Sequence, residues 1–480
     1  MESFLDGTLQ LRLPEPPLHG GVSNGRHAPL SCWQLHVWNH TQLATRLSPG
    51  AQLFNETITI HRRGSLDVAA LEKSLNEILR RHQAWRTTFR VVDGQPQQIV
   101  SAPAEDSLPV FDLRSLSQVE QDRELLRLGN EDVRQPFDLE NGPLVRTRLL
   151  RLGNLHWQLL LSVHQILLDG VSVYHVFLPE LMSLYKAYSN NQISPLAELP
   201  VQYPDYAIWE CERSQGDGFS GQRAYWNQQL HGPLPQLKLP ADRPRPVRQT
   251  FHGAILPFAL PKQLSEQARL YSQRENVTLF IALLAVFYSL LNRYTDQEDI
   301  VVGTIAPTRQ RSELQGLLGY FLNPVVLRAD LSGNPTFQEV VSRSRNIFLE
   351  AISYSNVPFD SLVGMVEPQA ALDRHPLYQV QISLEPPLPA LDEGWNLTPM
   401  DFESGGAKLD LYMVFDDRPS GIIGRVQYNP DLFDASTMSR LVEHYQAVLE
   451  AVLADPLKHL SALPQFSLTE PLTNVGVSGT

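Results

Sequence analysis

Cysteine is almost missing: Cys32 and Cys211 are the whole supply, which excludes a disulfide framework and any cysteine-rich metal site. Positive charge is neither abundant nor gathered. The 39 Lys and Arg residues against 52 Asp and Glu leave 39 − 52 = −13, and the basic residues stand singly. A nucleic-acid surface needs massed cations to displace counterions, so that partner class is excluded. A local basic patch for an acidic protein partner is not. Long hydrophobic runs are missing too. The longest apolar stretch, Leu279 to Leu291, stops at Asn292-Arg293, short of the roughly 20 residues a bilayer demands. It predicts a buried helix and no membrane span. The opening residues, Met1-Glu2-Ser3-Phe4-Leu5-Asp6, carry neither the basic nor the apolar region of a secretory signal, so a cytoplasmic chain is expected. His61, His82 and His375 lack metal-ligand spacing, and no metal is expected.

What is present points to a large globular body. An apolar fraction of 42% suffices for ordinary packing, and 480 residues exceed one compact core, so two lobes are expected. Residues 1–28, rich in Pro, Gly, Asn and Ser from 11 on, read as a solvated lead-in. Asn55 to His61 alternates β-favouring residues, and Asp67 can cap a helix with apolar positions Val68, Leu71, Leu75, Ile78 and Leu79. Asp93-Gly94 turns one hairpin, Thr87–Arg90 against Gln97–Val100, and Gly153-Asn154 turns another, Leu144–Leu152 against Leu155–Val163. A polar helix is expected over 117–134 and an apolar one from Val171 to Tyr185. A connecting region follows to about 250. The second half predicts helices over 261–273, 278–294, 335–353 and 434–453, with strands at 300–305, 377–384, 408–415 and 421–428. Both halves mix helix and sheet, giving two α/β lobes. No short-period repeat is visible.

The most informative stretch is His164-Gln165-Ile166-Leu167-Leu168-Asp169-Gly170, fed by the apolar strand Trp157–Val163 and left by a helical pattern. Alone, a histidine at a strand end before Asp-Gly describes a turn as readily as a catalytic site. The stretch resembles the HHxxxDG signature of condensation domains in nonribosomal peptide synthetases, with glutamine for the second histidine. Further segments resemble that family in order. They are Leu30-Ser31-Cys32-Trp33-Gln34 with Trp38, Arg81-His82 to Phe89, Tyr203-Pro204-Asp205-Tyr206-Ala207, and Gly303-Thr304 to Arg309. Glu313-Leu314, Leu318-Gly319-Tyr320-Phe321 and Asn323 continue the series. Val357-Pro358-Phe359-Asp360, His375-Pro376-Leu377-Tyr378-Gln379 and Lys408-Leu409-Asp410-Leu411 complete it. The likeness covers about residues 30–465.

The resemblance implies two chloramphenicol-acetyltransferase-like lobes arranged as a V-shaped pseudo-dimer around a central tunnel. Its expected bounds are 29–205 and 251–460, joined by 206–250, with 461–480 a linker towards an adenylation domain. It implies an acyltransferase joining a donor thioester on an upstream carrier protein to an aminoacyl acceptor on a downstream one. No cofactor of its own is expected, since the carriers supply phosphopantetheine arms. A monomer is expected. Gln165 stands at the family's active-site histidine, whose work is general-base catalysis or orientation of the amine; glutamine has no basic lone pair near neutral pH. Three readings stay open: a diverged domain that docks carriers or a tailoring enzyme, a silenced enzyme, and a slow enzyme. His164 is expected to be structural. Asp169 and Arg309 are expected to pair across the lobe junction. Gly170 is expected to allow close approach or positive φ, with its amide near the thioester oxygen. Ser172, Tyr320 and Asn323 are placed on the substrate tunnel, and Trp33, Trp38, Trp85 and Trp209 in the core. Neither the extra EGHGRE segment of epimerisation domains nor the DxxxxD of heterocyclisation domains is found.

Overall fold

The computed structural model describes residue 21 and residues 27–215, 219–366, 373–398 and 402–466. Most of the expected lead-in, and the expected linker beyond residue 466, lie outside the described residues. Two large mixed sheets carry the fold. The N-terminal sheet runs, edge to edge, Trp395–Thr398, Asn55–Arg63, His156–His164, Val145–Gly153 and Val110–Asp112. The C-terminal sheet runs Leu322–Asp330, Asp299–Pro307, Val380–Leu384, Leu411–Arg418, Gly421–Tyr428 and Ala254–Ala259. A small third sheet joins His27–Pro29, Gln95–Val100 and Thr87–Val92.

The lobes repeat one plan that the amino-acid letters conceal. In each, an early strand (Asn55–Arg63 or Ala254–Ala259) pairs antiparallel with the second strand of a later hairpin. In each, a helix follows the early strand, Val68–Arg81 or Lys262–Arg274, and a second follows the hairpin, Leu178–Ser189 or Ala435–Ala454. The paired helices pack on each other and cover one sheet face. Their start signals are local. The Asp67 carboxylate accepts from the Ala70 amide at 3.1 Å, and Ser31 and Gln34 form a reciprocal capping box on the helix Cys32–Leu47. Helix Leu279–Thr295 is apolar on every side and is buried from Phe280 to Leu291, as a core helix must be. No single helix among the described residues is long and apolar enough to cross a membrane.

Three differences from the sequence reading have physical causes. The expected connecting region contains helices Tyr203–Gln215 and Ser220–Gln229. Tyr203 and Tyr206 enter the N-terminal core, while Trp226 enters the C-terminal one, so the segment divides between lobes. Strands Ala254–Ala259 and Leu322–Asp330 were hidden because each packs by tertiary contact rather than by alternation. The largest difference is a crossing. Trp395–Thr398, in the range expected for the second lobe, pairs along Thr59–Arg62 of the first. The chain then passes Phe402 into a cluster with Leu128, Leu150 and Leu160. It returns through Gly406, where an added Cβ would lie 2.7 Å from the Gln52 carbonyl oxygen, and past Gly253, where one would lie 2.2 Å from Gly406 itself. Only glycine lets three backbones approach so closely. That returning strap carries Lys408 to the signature.

Candidate functional site at the lobe junction

The strand His156–His164 is buried along almost its whole length and ends at the junction, so its apolar run is set by burial on both faces. His164 leaves it pointing inward. Its ring lies between Phe54 and Phe137, and its Nδ1 accepts from the Ile166 amide at 3.3 Å. Burial first, then the Lys408 charge, lowers its pKa to about 3, so it is neutral. Gln165 points the other way and is half-buried. Its Oε1 accepts from the Lys408 Nζ at 2.8 Å. The ammonium also sits 4.0 Å from the centre of the Phe54 ring.

Asp169 is sealed and fully used. It accepts from the Ser172 amide at 2.6 Å, the Phe321 amide at 3.1 Å and the Arg309 Nη2 at 3.0 Å. Arg309 also donates to the Leu314 and Leu317 carbonyls at 2.8 and 2.7 Å and lies over the Phe321 ring. The pair therefore fastens the signature loop of one lobe to the segment 309–321 of the other; it holds shape and leaves no free lone pair for proton transfer.

Ser172, Tyr320 and Asn323, expected along a tunnel, are all buried. The Ser172 Oγ donates to the Gly319 carbonyl and accepts from Arg309. Asn323 donates to the Ser355 and Val357 carbonyls at 2.7 and 2.8 Å. The Tyr320 backbone carbonyl accepts from the Tyr203 hydroxyl at 2.5 Å. Gly170 has no positive φ among the described residues. An added Cβ there would sit 3.1 Å from Pro386 Cδ and 3.2 Å from Glu385 Oε2, so close approach is its reason. His175 is exposed.

The other motif residues converge on the same junction. The Ser31 Oγ meets the Tyr203 hydroxyl at 2.8 Å, and Trp33 Nε1 donates to the Tyr206 hydroxyl at 2.8 Å. Arg81 and His82 both meet Glu180, and the His82 Nδ1 accepts from the Leu318 amide of the other lobe. His36 contacts Asp360 across the lobes at 2.8 Å. Trp33 and Trp85 are core residues, and Trp38 and Trp209 pack against that core.

Sequence reasoning missed the half-buried charges around position 165. Glu56, Lys408, Glu385 and Arg425 all face the junction. Burial raises the carboxyls of Glu56 and Glu385, Lys408 opposing at Glu56 and Arg425 at Glu385. Arg425 reaches Glu385 at 3.3 Å. Burial likewise lowers Lys408 to about 8, with Glu56 opposing. The signal for Lys408 was its place in the family-like segment Lys408-Leu409-Asp410-Leu411, directly after the small-residue run Gly405-Gly406-Ala407, and neither names its partner. No group of three or more His, Cys, Asp or Glu suited to a metal occurs among the described residues.

Comparison with known proteins agrees with this geometry. The profile of the condensation domain matches residues 24–470. A linear gramicidin synthase polypeptide from Brevibacillus parabrevis is 39% identical over 453 residues, 94% of this chain and 9% of that protein. Chondramide synthase from Chondromyces crocatus is 38% identical over 457 residues, covering 94% and 11%. The chain thus spans about a tenth of the length of these relatives. Among solved structures, the X-domain from teicoplanin biosynthesis superposes with a TM-score of 0.78 at 29% identity, over 94% of this chain and all of that one. The first condensation domain of the calcium-dependent antibiotic synthetase gives 0.79 at 19%, a likeness of fold, over 93% and 100%. The architecture is the two-lobed, chloramphenicol-acetyltransferase-like α/β fold.

Proposed function

Because the chain belongs to the condensation-domain family of nonribosomal peptide synthetases, we propose that it joins two carrier-tethered substrates by an amide bond. A donor acyl or peptidyl thioester arrives on the phosphopantetheine arm of an upstream carrier protein. The amine of an aminoacyl thioester arrives on a downstream one. The domain acts as a monomeric pseudo-dimer in the cytoplasm, within a longer chain that continues into an adenylation domain. The observation that carries this reading is the intact clasp Asp169–Arg309–Ser172, which fixes the signature loop between lobes with Gln165 on its accessible side. Holding amine and carbonyl together supplies much of the acceleration of thioester aminolysis, so loss of the signature imidazole slows the reaction without abolishing it.

A second reading keeps the fold and drops the chemistry: a docking module for carriers or a tailoring enzyme. Gln165 favours it, as does the likeness to the X-domain, a relative solved in complex with OxyB. One experiment separates them. Both carriers are loaded, and amide product is measured by mass spectrometry with this chain and with Gln165→His. Product from the unmodified chain supports condensation. Product from the histidine form alone means that bond formation was lost at position 165, and none from either leaves docking.

A further inference from the structure

Gln165 does not face the reacting groups as a free amide. Its carbonyl oxygen is already taken by the Lys408 Nζ at 2.8 Å, which leaves the NH2 as its remaining polar group. An amide NH2 donates and does not accept, and it takes no proton from an amine. His164, next in the chain, is buried with its Nδ1 engaged. Asp169 is consumed by four N–H donors, two of them from Arg309. The signature has thus no proton acceptor of its own, yet a basic atom lies in direct contact with residue 165.

We infer that Lys408, held by Gln165 and seated over Phe54, is the proton acceptor for the attacking amine, and that Gln165 is its positioning residue. The inference rests on the condensation reading above. The Gln165 carbonyl takes one N–H of the lysine; in the free-amine form this directs the lone pair away from Gln165. As the acceptor amine attacks, its nitrogen forms a bond to the thioester carbon and the carbonyl pair moves to oxygen. The amine proton passes to Nζ, making the ammonium. The intermediate collapses, the C–S bond breaks, and the leaving thiolate takes that proton as a thiol. Amine and thioester become amide and thiol, and the lysine returns to its starting form.

The surroundings suit this role. Burial brings the lysine to about 8, so about a tenth is free amine at pH 7 and about half at pH 8. The titratable groups facing it are Glu56 on Asn55–Arg63, His164 at the end of His156–His164, and His40 on Cys32–Leu47. Both histidines are held neutral by burial, which leaves Glu56 as the charge acting on Lys408. Glu56 in turn senses Arg425 and Asp169.

The test uses the chain with both loaded carriers, single-turnover rates from pH 6.5 to 9.5, and a weakly basic acceptor amine whose own titration falls below that window. The unmodified chain is expected to gain rate with a slope of one and bend near pH 8. Lys408→Arg keeps a cation and Lys408→Met keeps the stem. Each is expected to lose roughly 10²- to 10⁴-fold, the usual range for one acid–base group, together with the bend. Gln165→His placed in the Lys408→Met background is expected to recover rate, with the bend moved towards the imidazole range near pH 6.5. Unchanged melting temperature and carrier binding in Lys408→Arg separate chemistry from folding. A Lys408→Met enzyme with full rate and an unmoved bend overturns this inference alone. Absence of product from the unmodified chain overturns the condensation reading, and the inference with it.

Discussion

The two hairpins Val145–His164 and Leu411–Tyr428 are built alike, and they end differently. Each second strand is flanked by its hairpin mate and by an early strand of its own lobe. Past the first, Gln165 and Asp169 meet residues from the opposite lobe, Lys408 and Arg309. Past the second, Asn429 meets only its own half: its amide donates to the Asp410 carbonyl and its Nδ2 to Thr250. Its own carbonyl accepts from Leu432 and Phe433. The same strand end is a turn in one lobe and a junction in the other. Chemistry therefore follows from which end receives the partner lobe, and the strap formed by Trp395–Thr398 and residues 402–410 decides that by crossing in one direction.

The comparison can be broken or sharpened by substitution. Arg309→Met should have the largest effect, because it leaves the Asp169 carboxylate buried without its cation; about 3–5 kcal/mol of stability should be lost in urea unfolding. A loss below about 1 kcal/mol would show that the junction is not tied there. Leu161→Ala and Ile422→Ala remove fully buried side chains from the two equivalent central strands. Each should cost about 2–5 kcal/mol, and a large inequality would mean that the lobes do not share the load.

Acid provides the next test. His164 in one lobe and His375 in the other are held at about 3 by burial, against 6.5 unfolded. Between those values the unfolded chain binds more protons, so stability is fully present above about pH 6.5 and is lost as pH falls towards 3. The melting temperature should drop across that window, and His164→Gln should flatten the slope. An acid limb identical in the variant would remove His164 from the account. The smallest effect is expected at Arg243–Asp434, an exposed pair of the second lobe. Arg243→Gln should leave the urea midpoint close to that of the unmodified chain, and added salt should erase what difference there is.

Legibility in the sequence followed how local each interaction is. The helices Val68–Arg81 and Leu279–Thr295 and both N-terminal hairpins announce themselves through caps, turn pairs and periodicity that neighbours in sequence supply. The pairing of Asp169 with Arg309 came from family likeness, and the structure shows its atoms. The contacts of Ser172 and Asn323 were not legible, because no pattern in the letters reveals that the Ser172 hydroxyl donates to the Gly319 carbonyl and the Asn323 amide to the Ser355 carbonyl, 147 and 32 residues away.

By itself the sequence determined the family, the two-lobed α/β class and the glutamine at position 165, since all three are written in residue identity and order. Only the tertiary structure decided what that glutamine touches. Lys408 lies 243 positions further on, and it reaches Gln165 because Gly253 and Gly406 let the strap pass between lobes at backbone contact. Contacts of that range arise from packing after the elements form, and no local rule of side-chain spacing encodes them.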